Sequence, residues 1–177
     1  MTRNILPYGL LAGGIITLQM VLMVQMCYGN PNFEPSAIVG FGTMILAFSL
    51  VFIGILNYRN KIGNGFISFG KALKIGAGIA FVASTIYVVT WLFYFYLFVP
   101  DFMEKYGKMV LNQAAKNGAT AADLAAKTQE TQEFVKWYKN PLFVILMTYA
   151  EVLPVGLLVT LFSAIILKRK PGSLPLE

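Results

Sequence analysis

Four long stretches of the chain are apolar almost without interruption, and polar residues gather in the gaps between them. The runs extend from about residue 5 to 28, 37 to 57, 72 to 99 and 142 to 167. A hydrocarbon core of about 30 Å takes about 20 helical residues to cross, and each run meets that length. Lipid offers no partner to an open backbone amide, so the expected form of every run is an α-helix. The glycines inside the runs agree with this, being commoner in membrane helices than in soluble ones. The first run follows an early Arg3 but exceeds a secretory h-region and has no A-x-A-like site before Tyr28. It therefore reads as a retained span.

The stretch from 101 to 140 has a different rhythm. Phe102, Tyr106, Met109, Val110 and Gln113 recur at three- and four-residue spacing, which predicts a helix with one apolar face. Asn117-Gly118 stops it. Thr120 followed by Asp123 resembles a cap with an acid three residues on, opening a second helix that runs to Tyr138. Asn140-Pro141 breaks that helix and starts the last span. The second helix is polar over Lys127 to Glu133 and apolar at Phe134, Val135, Trp137 and Tyr138. The pattern predicts a helical hairpin on the outer surface, either a solvated cap or a docking surface for a partner. The expected fold is all-α: one polytopic membrane domain over 1–177, with four transmembrane helices and a helical extracytoplasmic insertion between the third and fourth.

Composition agrees. The chain is 57% hydrophobic and 12% charged, where a soluble domain has about 25% charged residues. The net charge of +6 is unevenly spread. Arg3, Arg59, Lys61, Lys71, Lys74, Lys168, Arg169 and Lys170 occupy one set of connections, opposed only by Glu177. In the other set Glu34 and the acids of 101–140 balance the lysines. The positive-inside rule puts both termini and the 58–71 loop in the cytoplasm and 101–140 outside. Arg59, Lys61, Lys71, Lys74, Lys168, Arg169 and Lys170 are then expected to meet anionic lipid head groups. No aromatic-interleaved basic groove suggests nucleic acid.

In lipid, helices associate by close backbone approach through small residues. Three spans carry such rows at four-residue spacing: Gly9, Gly13 and Thr17; Ala72, Gly76, Ala80 and Ser84; Gly156, Thr160 and Ala164. The expectation is tight contact among spans one, three and four, with span two peripheral because Gly40, Gly42 and Gly54 are out of register. One row is also a candidate seam for a homo-oligomer. Trp91, Tyr94, Tyr96, Trp137 and Tyr138 cluster toward the outer boundary. They read as an aromatic belt, with a ligand-stacking surface as the alternative.

The chemistry-bearing inventory is short. There is no histidine, and the single Cys27 excludes an internal disulfide. No metal-ligand spacing is present, so no metal, cofactor or enzyme activity is expected. Asp101 and Glu104 read as helix-starting acids. Glu151 stands apart, as the sole acid within an apolar run. A charge at that depth costs about 2.5–3.5 kcal/mol on insertion scales, so it must find hydrogen-bond partners. With spans alternating in direction, Gln19, Tyr87 and Thr90 lie at similar depth and are the expected partners. Pro154 frees the carbonyl of Ala150 beside it.

Residues 58–76, YRNKIGNGFISFGKALKIG, carry a family resemblance. Tyr58-Arg59, Gly65 and the block Phe66-Ile67-Ser68-Phe69-Gly70-Lys71-Ala72 leading into Gly76 resemble four-span bacterial membrane proteins grouped as domain of unknown function 4199. Pro100-Asp101-Phe102, the alanine- and glutamine-rich helix before Asn140-Pro141, and the stretch from Gly156 to Lys168-Arg169-Lys170 fit the same family. The resemblance implies four helices in a bacterial inner membrane, largely of Bacteroidota, and no known activity. Physically, Gly63 and Gly65 allow a tight turn, and Phe66, Ile67 and Phe69 are expected to form a shelf at the membrane interface. The leading functional expectation is a non-enzymatic scaffold or accessory subunit binding protein or lipid partners. The alternative is a small proton-linked transporter or channel centred on Glu151.

Overall fold

A computed structural model describes residues 2–29 and 36–169. Glu34, Lys170 and Glu177 lie outside the described residues, as does the side chain of Arg3. Six helices follow one another: α1 Thr2–Gly29, α2 Ala37–Lys61, α3 Phe69–Phe98, α4 Phe102–Lys116, α5 Ala121–Trp137 and α6 Pro141–Leu167. Helices α1, α2, α3 and α6 are each long and apolar enough to cross a membrane. The chain is an all-α membrane protein with two shorter helices inserted before the last span.

Local chemistry sets the boundaries. Ser36 caps α2, its hydroxyl accepting from Val39 N–H at 3.4 Å. Thr120 and Asp123 form a reciprocal capping box at α5: Asp123 N–H donates to Thr120 Oγ1 at 3.2 Å, and Thr120 N–H donates to Asp123 Oδ2 at 3.0 Å. Asn140 accepts from Leu142 N–H at 3.0 Å, and Pro141 fills the first position of α6, where its missing N–H costs nothing. Gly118 ends α4 with φ +81°, a conformation that favours glycine.

Around the bundle the order is α1, α2, α6, α3, with α3 packed most extensively, on α1 and on α6. The small-residue rows form two seams. Gly9 and Gly13 face α3: a Cβ on Gly9 would lie 2.7 Å from Val82, and one on Gly13 3.1 Å from the Ala83 backbone. Thr17 ends this row with a buried hydroxyl that has no hydrogen bond. On another face of α3, buried Ala72, Gly76, Ala80 and Ser84 meet Gly156, Thr160 and Ala164 of α6. A Cβ on Gly76 would lie 2.5 Å from Thr160, and one on Gly156 2.8 Å from Ala80. Thr160 commits its hydroxyl to Gly156 O at 2.8 Å, so it packs as an apolar surface.

The expectation that α2 is peripheral is corrected. Phe48, Val51 and Ile55 of α2 are fully buried, and α2 closes the ring between α1 and α6. Large side chains, rather than a row of small ones, fill the space that the glycine-seamed helices leave. Even Gly54 is a close-approach position, since a Cβ there would lie 2.6 Å from Ile79.

The basic end of the bundle is closed by a short two-way backbone pairing. Ile67 N–H donates to Arg169 O at 3.1 Å and Arg169 N–H donates to Ile67 O at 2.9 Å. Asn64 and Gly65 make the preceding turn with positive φ. Ile67 is buried, so of the expected interfacial shelf only Phe69 is exposed, with Phe66 half-buried. Arg59 turns partly inward and donates to Leu167 O, at the C-terminus of α6, at 3.4 Å. The Lys71 ammonium lies 5.3 Å from the Tyr58 ring centroid. Lys61, Lys74 and Lys168 are exposed at this same end.

Candidate functional site

The opposite end of the bundle is built differently. Here α4 and α5 pack against each other across Gly107, where a Cβ would lie 2.3 Å from Thr131. A polar knot ties the start of α4 to the end of α1. The Tyr28 hydroxyl donates to Asp101. Lys105 Nζ lies 3.1 Å from Asp101 Oδ2 and 3.4 Å from the Tyr28 ring centroid. The hydrogen bond from Tyr28, and then that from Lys105, hold the Asp101 carboxyl below its usual range.

Beneath α4 and α5 lies a cavity of about 400 Å³. Its walls come from all four spans: Gln19, Met20 and Met23 of α1, Gly40 and Met44 of α2, Tyr87 and Trp91 of α3, and Thr148 and Glu151 of α6. Its roof is Phe102, Met103 and Tyr106 of α4 with Phe134 and Tyr138 beside them. Gly40 adds room on the α2 side: a Cβ there would meet nothing within 4 Å. Deeper in the bundle, Phe48 and Val51 occupy the corresponding centre.

Aromatic contacts hold the roof to the walls. Trp91 meets Phe102 edge-on at 5.5 Å and Phe95 at 5.5 Å. Phe95 meets Tyr138 at 5.7 Å, and Tyr138 meets Phe134 at 4.9 Å. Such pairs add about 0.5–1.5 kcal/mol each beyond their buried area. The belt expectation is corrected on this point. Trp91 is only 7% exposed and faces the cavity, whereas Trp137, 55% exposed, lies on the outside. Sequence position near a boundary is the same for both; the inserted helices decide which is covered.

Glu151 is exposed and stands on the cavity wall. At 1.5 Å per residue, the step from Pro141 to Glu151 takes it about 15 Å down α6. Gln19 and Tyr87 share this cavity, but the expected hydrogen bonds to Glu151 do not form. Gln19 Nε2 instead donates to Val39 O at 3.3 Å, tying α1 to the first turn of α2. Thr90 is on the wrong face altogether, lining a shallow groove with Leu10, Phe81 and Thr85. Similar depth placed these residues at one level, while helix rotation separated them. Glu151 nonetheless acts on the roof. Burial, then the charge of Glu151, push the Tyr138 hydroxyl up to about 12.

Sequence reasoning missed the roof and the methionines. The available signal was the pair of i, i+4 aromatic spacings, Phe102 with Tyr106 and Phe134 with Tyr138, which put each pair on one helix face. What it could not supply was the common direction of those faces.

A family model described as "Protein of unknown function (DUF4199)" matches residues 7–169. No curated protein and no solved structure matches the chain.

Proposed function

The chain belongs to the DUF4199 family, proteins of unknown function, and we propose that it acts by binding rather than by catalysis. In this reading it is an integral protein of a bacterial inner membrane with both termini cytoplasmic. The cavity then opens within the outer half of the membrane, where it takes the apolar part of an amphiphilic molecule. The charge distribution supports the orientation: Arg59, Lys61, Lys71, Lys74 and Lys168 share one end, while the α4–α5 end mixes lysines with acids.

The observation that carries the reading is the cavity itself, apolar on most of its wall with a few convergent polar groups. Thr148, its one aliphatic hydroxyl, is committed to Val144 O at 2.7 Å and is not poised for chemistry. The inner half supports holding over conduction, because Phe48, Val51, Ile55, Ile75 and Ile79 fill it without exposure. A protein partner would extend this role by engaging the exposed surfaces of α4 and α5.

The test uses the full chain in lipid nanodiscs and a neutral octyl probe carrying a diazirine. Light should attach it to peptides containing Met20, Met23 or Met103, and Gly40→Phe should remove that labelling while sparing lipid-facing Leu97 and Leu158. Labelling restricted to the lipid-facing positions would refute the proposal. Proton flux into vesicles that Glu151→Gln abolishes would favour the transporter instead.

A further inference from the structure

We infer that the molecule held in this cavity is a lipophilic cation, an alkyl ammonium, with Glu151 as its counter-ion. The inference rests on the cavity being a binding site and adds the sign of the ligand's charge.

Among the described residues, Glu151 is the one acid on the cavity wall, and no lysine or arginine lines it. Among the described residues the ion pair is between Lys105 and Asp101, at the knot outside the cavity, so Glu151 has no basic partner there. Its carboxylate makes no hydrogen bond with a described residue, Gln19 being engaged by Val39. A carboxylate surrounded by apolar wall favours a cation brought close to it more strongly than one in water does.

The rest of the wall selects an organic cation over a hard metal ion. A divalent metal needs several oxygen ligands, and no group of three acids, cysteines or histidines occurs among the described residues. Aromatic rings are abundant instead. Tyr87, Trp91 and Tyr138 line the same space as Glu151. Ring faces attract ammonium groups, most strongly where water is scarce. Met20, Met23 and Met44 add flexible, polarizable surface suited to an alkyl tail.

The protein satisfies an ammonium in this way once already. At the α1–α4 knot, Lys105 sits between the Asp101 carboxylate and the Tyr28 ring. The cavity repeats the two receiving elements, a carboxylate and tyrosine rings, with no basic side chain among its described lining residues. Lys105 and Lys108 line the adjoining recess with Tyr28 and Tyr106. The charge of Lys105 is offset by Asp101, which lowers the barrier it presents to an entering cation.

Three octyl diazirine probes that differ only in head group provide the test: trimethylammonium, hydroxyl and sulfonate. Each is titrated against the full chain in zwitterionic phosphatidylcholine nanodiscs, reading half-maximal labelling of the cavity peptides. The ammonium should label about tenfold more tightly than the alcohol, and the sulfonate least. Glu151→Gln should remove this preference, so that within the variant the ammonium and the alcohol label the cavity peptides alike. Equal affinity of ammonium and alcohol on the unmodified chain would overturn the inference and leave the binding reading standing. An ammonium preference that survives Glu151→Gln would overturn the role of Glu151. Cavity labelling by none of the three probes would remove both readings. The head-group comparison needs no variant, so a misfolded Glu151→Gln protein would not rescue the idea.

Discussion

The two halves of this bundle use the same four helices for opposite ends. Toward the basic end, glycine and alanine bring α3 within close reach of α1 and α6, and Phe48, Val51 and Ile55 plug the centre. Toward the α4–α5 end, small residues at the start of α2 have no bulky partner, and the centre is a cavity. A small residue thus has no fixed meaning. Opposite a backbone it makes a seam; opposite nothing it makes a space. Because lipid tails are as apolar as leucine, neither half is stabilised by escape from lipid, and packing quality alone separates them.

Substitutions at matched positions can break that contrast. The largest effect is expected at the plug. Phe48→Ala should lower stability by about 3 kcal/mol, read from the detergent-unfolding midpoint, because the ring leaves a void at the centre that its neighbours cannot close over. Gly76→Leu should follow, at about 1–3 kcal/mol, since even a Cβ meets Thr160 at 2.5 Å. If either proves as mild as a change at the cavity, the halves do not differ in packing.

The knot between α1 and α4 comes next. Tyr28→Phe should cost about 0.5–1.5 kcal/mol and raise hydrogen exchange over α4 while leaving the core of α3 protected. The same tie carries a pH signature. Asp101 has its folded value lowered from 3.8, so its contribution is present above that unfolded value and lost as pH falls through the lower, folded one. The protection factor over α4, with intrinsic exchange divided out, should therefore stay flat between about pH 5 and 8 and fall only in stronger acid. In Tyr28→Phe much of that acid response should be gone. Smallest of all should be Gly40→Ala, within about 0.5 kcal/mol of neutral, because the added methyl enters open space. A larger drop would mean that the cavity is tighter than its lining indicates.

Much of the fold was legible one segment at a time. The four spans, the Asn117-Gly118 stop, the Thr120–Asp123 cap and the Asn140-Pro141 start all depend on residues within a turn or two of one another. The odd placement of Glu151 was equally visible. The partners assigned to it were not, because depth along a helix follows from counting whereas rotation about its axis does not. Thr90 was drawn in by depth and lies on another face. Trp91 and Trp137 share a depth, yet the first is buried and the second exposed.

By itself the amino-acid order determined which stretches are helices, where each starts and stops, and which of them enter lipid. A spanning helix satisfies every backbone group within its own segment, so local composition is enough. Tertiary packing alone set α2 as a central plug, laid the inserted helices over a cavity and turned Glu151 toward it. Those outcomes depend on how several rigid cylinders rotate against one another to fill space, and no single segment contains that information.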